Sequence, residues 1–296
     1  MDRRSLAAGT RGSKLALIQT EWVIAQIRKS HPEFHIEPQV ITTSGDHSAE
    51  AAFGEGVFVK EIEEALLEGK IDLAVHSLKD LPTEEVNGIK VAAIPVRADP
   101  REALVGSALE DLPLRAVVGT GSPRRSAQLK RLRPDLEVVP IRGNVPTRVE
   151  KARRGEVAAV VLAKAGLDRL GIEPDDVFEE EDFLPAPGQG ALAVEVRAGD
   201  REVLKIARSI DEPGARIAAQ TERALLYALG GGCLLPVGAW GRVLDQKLLL
   251  DACVVSSDGT RRAFTSAGGE STESQMVAQR AAEELIERGA LEMLKG

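Results

Sequence analysis

Three groups of residues in the chain have the types and spacing to do chemistry. The first is His76-Ser77-Leu78-Lys79-Asp80, which sets an imidazole, a hydroxyl, an ammonium and a carboxylate side by side. A cation and an anion so close can be offered to one ligand together. The second is a run of bases. Residues 112–154 hold eleven Lys and Arg against three acids, in a chain of formal net charge −8. Lys130, Arg131, Arg133, Lys151, Arg153 and Arg154 read as ordinary surface charges. Arg124, Arg125, Arg142 and Arg148 differ, because each follows just after a predicted strand, where guanidinium forks can hold carboxylates or phosphates bidentately. Ser122, capping a helix that opens at Pro123, adds amino-terminal N–H groups to the same purpose. The third is Gly230-Gly231-Gly232-Cys233. Free backbone beside a thiol suits covalent attachment of a ligand, whereas Cys253 alternates within a predicted strand and reads as a small buried hydrophobe.

Composition narrows the ligand. Aromatic residues are only 3%, which argues against modules that stack bases. The negative net charge argues against adhesion to nucleic acid or anionic membrane, so the arginines point to a small polyanion. Thr120-Gly121-Ser122 lacks the spacing of a P-loop. The four histidines show no metal-ligand spacing, no metal is expected, and no Ser-His-Asp arrangement can be traced. Residues 1–12 contain no export-signal core, and no apolar run is long enough for a bilayer. Two cysteines do not make a disulfide scaffold. The expected address is the cytoplasm, with no membrane partner.

Elements that could position these groups follow from periodicity. Strand 71–75 ends abruptly in the first cluster, and Pro82 forbids a clean helix start beyond it. Strand 5–8, a helix from Ser13 to about residue 29, strand 34–41, a Gly-rich loop at 49–56 and a helix over 58–68 precede it. That is β-α-β-α-β, a doubly wound half. After strand 89–96, residues 97–101 look like a crossing to a second unit of the same grammar, with strands 116–119, 137–141 and 157–162. Seven acids and no base between 173 and 182 read as a solvated connection. Residues 184–190 cross back to strand 191–196, which should rejoin the first sheet, and two such connections make a hinged cleft. A helix over 213–229, strands 234–242, 247–255 and 260–264, and a helix through Val277, Ala281 and Leu285 make a small α+β third domain.

Six blocks in uninterrupted order carry a family resemblance. They are Thr10-Arg11-Gly12-Ser13, His76–Asp80, Gly119–Arg125, Arg142-Gly143-Asn144-Val145-Pro146-Thr147-Arg148, Pro187-Gly188-Gln189-Gly190 and Gly231-Gly232-Cys233. Together they resemble the porphobilinogen deaminase (hydroxymethylbilane synthase) family from Leu6 to about Gly238. The resemblance implies an α/β fold of two doubly wound lobes like type II periplasmic binding proteins, plus the α+β domain. The domains would be 1–96 with 191–208, 99–186, and 212–296. It implies a monomeric cytosolic transferase that joins four porphobilinogen molecules head to tail with loss of ammonia. A dipyrromethane cofactor would be linked by a thioether to Cys233 and contacted by Ser77, Lys79, Asp80, Thr120, Ser122, Arg124, Arg125, Arg142 and Gly190. Porphobilinogen and the growing polypyrrole would meet Arg11, Ser13, Arg142, Arg148, Arg169, Gln189 and Lys60. Asp80 would be catalytic, stabilising the cationic azafulvene left when ammonia departs.

The chain departs from the family at Gly54-Glu55-Gly56, where Gly-Lys-Gly is common, which leaves Lys60 as the cation at the loop's end. Gly121, Pro123 and Pro146 also replace frequent residues, and the two prolines stiffen helix starts. The rival from another class is a two-lobed small-anion binding protein without catalysis, which would have no use for Cys233. A nucleic-acid-binding protein stands third and would betray itself by salt-dependent oligonucleotide binding.

Overall fold

The computed structural model describes residues 5–43, 59–84, 86–232 and 235–295. The chain opens with β1 (Ser5–Thr10), α1 (Lys14–Ser30), β2 (His35–Val40), α2 (Lys60–Leu67), β3 (Leu73–Ser77) and β4 (Ile89–Ala93). Next come β5 (Glu102–Val105), β6 (Val117–Gly119), α3 (Pro123–Leu132), β7 (Glu137–Val139), α4 (Val145–Arg153), β8 (Ala159–Ala163), α5 (Lys164–Leu170) and β9 (Asp176–Val177). It closes with β10 (Leu192–Arg197), α6 (Arg201–Arg208), α7 (Pro213–Ala228), β11 (Val237–Leu244), β12 (Lys247–Val255), β13 (Arg262–Glu270), α8 (Ser274–Glu287) and α9 (Ala290–Lys295). Two units result: the residues up to Arg97 with Ala191–Arg216, and Ala98–Gly190 with the chain from Ile217.

Helix starts are set by side chains that take up otherwise unpaired N–H groups. Ser13 accepts from Ala16 N at 3.2 Å, Asn144 from Thr147 N at 3.0 Å and Asp200 from Val203 N at 3.1 Å. Ser122 caps α3, with proline in the first turn there and in α4.

In the first unit the sheet order is β2-β1-β3-β10-β4. β1, β2 and β3 run parallel, and β10 lies antiparallel between β3 and β4. The strand that follows the second crossing thus does rejoin the first sheet. One face of this sheet presents Leu73, Val75, Leu192, Val194 and Val196 to Val23, Ile24 and Ile27 of α1 and to Val203 and Ile206 of α6. On the other, Ala74 meets Ile62, Ala65 and Leu66 of α2. By strand alternation His76 and Glu195 face α2 as well.

The second unit repeats the order as β7-β6-β8-β5-β9, with β5 the antiparallel member. It also holds the meander β11-β12-β13. Leu225, Leu226 and Leu229 of α7 and Val277, Ala281 and Leu285 of α8 close the meander's core. Helix α7 crosses β11 at Gly241, where a Cβ would stand 2.9 Å from Ala218 O. Gly241→Ala should therefore cost about 1–3 kcal/mol through forced separation of the two elements, read as a lowered melting temperature.

One strand is unread from the sequence, and one expectation needs correction. Residues after the first crossing form β5, a fully buried strand that a four-residue run opening on Glu102 does not announce. The acidic stretch 173–182 is not merely solvated. Asp176 and Val177 pair with β5, Asp175 and Asp176 accept from Gly106 N at 2.8 Å and Leu109 N at 2.9 Å, and Phe178 packs on Phe183 with ring centroids 4.4 Å apart.

Candidate active site

β3 delivers the first cluster. Its antiparallel ladder extends one residue past the strand, through Leu78 N to Ala191 O at 3.0 Å, and a single 3-10 turn then carries Leu78–Asp80. Leu78 and Leu81 are buried and pin this turn from either side, leaving Lys79 half-buried and Asp80 exposed. Ser77 Oγ accepts from the buried Gln19 Nε2 of α1 at 3.1 Å. Arg11 and Ser13 leave the carboxyl end of β1, which pairs in parallel with β3. Arg11, Ser13, Ser77, Lys79 and Asp80 therefore share one sheet edge, where open α/β folds bind ligands. Lys60, at the start of α2, is exposed and lies 3.9 Å from Glu64. The loop with Glu55 lies outside the described residues.

Beneath α2, His76 Nε2 stands 3.2 Å from Glu195 Oε2, and both side chains are buried. Half-buried Glu63 of α2 faces them. Burial first, and then the Glu195 charge, push its carboxyl up from 4.5 to about 7, with His76 pulling the other way. A folded-state value above the unfolded one means that the folded protein holds this proton more tightly. The associated stability is complete below about pH 4.5 and is lost as pH rises through about 7. Melting temperature should fall over that window, and Glu63→Gln should flatten the fall in thermal melts.

In the second unit the basic groups also collect after parallel strands. Thr120-Gly121-Ser122 follows β6, with Thr120 Oγ1 accepting from Ser122 N at 3.2 Å. Arg142-Gly143-Asn144 follows β7, and Arg148 Nε donates back to Gly143 O at 2.7 Å. Arg169, in the helix after β8, donates to Gly190 O at 3.0 Å. Burial holds the guanidinium of Arg169 below its usual range, and burial followed by the Arg125 charge does the same for Arg148. Arg124 and Arg125 are buried and converge on Glu102. Burial lowers Arg124, opposed by Glu102. Among the described residues Arg125 Nε is buried without an acceptor. Two neighbouring guanidiniums and an unanswered buried donor fit a carboxylated ligand.

The crossing block packs inward. Gln189 is fully buried, and its amide donates to Pro100 O at 2.7 Å, so the side chain holds the crossing rather than facing outward. Gly190, at φ +84°, has a Cβ position only 2.5 Å from Ala98 O, which leaves room for glycine alone. Glu222 of α7, unread from the sequence, is fully buried and accepts from Gly188 N and Gly241 N, each at 2.6 Å. Its spacing from Ala218 and Leu225 on the buried helix face was the available signal. Cys233 lies outside the described residues. Cys253 is buried beside Ala127, Leu184 and Val255 as a small hydrophobe.

Each unit is thus an open sheet of one strand order, the first ending in an ammonium–carboxylate turn and the second in a group of arginines able to hold carboxylates. Family models sharpen this: "Porphobilinogen deaminase, dipyromethane cofactor binding domain" matches residues 6–205, and "Porphobilinogen deaminase, C-terminal domain" matches residues 217–287. The chain belongs to the porphobilinogen deaminase family. It is 46% identical to the porphobilinogen deaminase of Desulforudis audaxviator over 99% of this chain and 97% of that one. Identity to the Thermus thermophilus enzyme of that name is 44% over 98% of each chain. Among solved structures, the Bordetella pertussis BvgS periplasmic VFT2 domain aligns at 15% identity and TM-score 0.41 over 71% of this chain and 87% of its own. That likeness is too slight to argue from, and the fold assignment rests on strand order.

The protein condenses four porphobilinogen molecules head to tail, releasing ammonia, to give hydroxymethylbilane, with a dipyrromethane cofactor covalently linked to Cys233. The non-catalytic binding protein finds no support among these relatives. No described helix is long and apolar enough to cross a membrane.

Proposed function

We propose that Asp80 is the catalytic carboxylate of this condensation and that the arginines of the second unit hold the carboxylates of cofactor and substrate. When bound, the dipyrromethane supplies the pyrrole carbon to which the first substrate is joined. Asp80 protonates the leaving amine, stabilises the cation that remains on the substrate by its charge, and accepts the proton released after C–C bond formation. Lys79 and Ser77 orient acidic side groups near it, with Arg11, Ser13 and Lys60 serving the incoming substrate. Each pyrrole carries an acetate and a propionate, so carboxylates accumulate as the chain grows. Arg125, Arg142, Arg148 and Arg169 answer them, with Thr120 and Ser122 adding hydrogen bonds beside an N-terminal helix end. Arg124, Gln189 and Gly190 keep that group in place.

The observation that carries the reading is the turn Leu78–Asp80, which holds an exposed carboxylate beside a half-buried ammonium at the end of β3. The attachment at Cys233 is a thioether, the protein is a cytoplasmic monomer, and its domains are 1–96 with 191–208, 99–186, and 212–296. Intact mass with peptide mapping should find two linked pyrroles on Cys233 that colour with Ehrlich's reagent, and light scattering should return the monomer mass. A bare Cys233 after incubation with porphobilinogen would remove the attachment.

A further inference from the structure

We propose that Glu102 is a positioning residue for the arginines at the head of α3. It draws Arg124 and Arg125 onto one buried carboxylate and thereby fixes which edge of Arg125 is left for a ligand. The inference rests on the reading of Arg125 as a carboxylate holder.

Consecutive helical residues project about 100° apart, so Arg124 and Arg125 would ordinarily diverge. Here both end on Glu102. Arg124 Nη2 donates to Oε1, and Arg125 Nη2 lies 2.7 Å from Oε2. Glu102 is 0% exposed, against 4% and 7% for the two arginines. Burying a lone guanidinium is costly, and a shared carboxylate relieves both arginines at once. One carboxylate between two guanidiniums also leaves one positive charge uncompensated.

The hydrogen bonds say where that charge is available. Arg124 Nη1 donates to Leu184 O at 2.7 Å, a carbonyl that also accepts from Gln128 Nε2 at 2.9 Å, so Arg124 is enclosed by the scaffold. Arg125 Nη1 donates to Val161 O at 3.1 Å, while Nε has no acceptor among the described residues. Arg148 lies close enough to Arg125 for the two charges to oppose each other. The surplus charge is therefore usable on the Arg125–Arg148 side. Glu102, on β5, sets that asymmetry without touching ligand.

The test compares Glu102→Gln, Arg125→Met and the double variant as purified holoenzyme. Three quantities are read: melting temperature, the fraction carrying the cofactor by intact mass, and KM and kcat for porphobilinogen. Glu102→Gln keeps the volume and one acceptor oxygen but loses the charge. It should lower cofactor occupancy and raise KM about tenfold or more, the range for a lost charged hydrogen bond, with a smaller change in kcat. In cofactor occupancy and KM the double variant should be no worse than Arg125→Met alone, because that effect passes through Arg125, whereas its melting temperature falls further as Arg124 loses its partner. A merely structural glutamate would instead add its loss to that of Arg125. Normal occupancy and KM in Glu102→Gln with defective Arg125→Met would overturn the positioning role and leave Arg125 its own. Normal values in both would overturn the reading of Arg125 and the positioning role with it. Should Glu102→Gln fail to fold, Glu102→Asp, which keeps the charge but withdraws it by one methylene, decides by the same comparison.

Discussion

Asp80→Asn should leave the fold and the covalent cofactor intact and lower turnover about a hundred- to a thousandfold, as removal of one oriented electrostatic partner does elsewhere. Asparagine fills the same space and can still accept a hydrogen bond, but it carries no charge to stabilise a developing cation and cannot take up a proton. The side chain is exposed, and the turn that bears it is pinned by Leu78 and Leu81, so the substitution has little to disturb. Intact mass confirms the cofactor, thermal melting confirms the fold, and single-turnover ammonia release isolates the chemistry. Near-normal turnover in a loaded, folded variant would move the catalytic role away from Asp80.

Cys233→Ala should abolish turnover altogether, for a different reason. The chain's second cysteine cannot substitute for it: Cys253 is fully buried, and burial raises its thiol above the usual range. The variant should show the bare polypeptide mass under conditions in which the parent carries the adduct. Cys253→Ala is the matching control. It should keep the adduct and lose about 1 kcal/mol of stability from the small space left beside Leu184. An adduct persisting in Cys233→Ala would sink the assignment.

Much of this arrangement is legible in the residues. Short apolar runs that break off into Arg11, Lys79-Asp80, Arg124-Arg125 and Arg142 mark strand ends at a ligand edge, because packing demands the apolar run and chemistry demands the break. The return of residues 191–196 to the first sheet follows from connection rules. Glu102 was not legible. Its carboxylate is buried only because two arginines 22 and 23 positions later meet it, and local pattern carries no trace of that. Asp175 and Asp176 look solvated for the same reason, since the loop N–H groups they accept from lie far back in the chain. Gln189 shows a further limit. The block Pro187–Gly190 is one of six that together carry the family resemblance, yet nothing in its residues says that the glutamine amide faces inward.

The antiparallel strand in each sheet has a consequence for the order in which the chain can fold on the ribosome. The second sheet takes all five strands from residues 102–177 and can close as soon as that stretch emerges. The first cannot, because β10 must wedge between β3 and β4, and it is made about 100 residues after β4. At roughly 5–20 residues per second, β3 and β4 wait about 5–20 s with unpaired edges that face no partner. The turn that carries Asp80 hangs from one of those edges, so it finds its place only after the whole second sheet has been made.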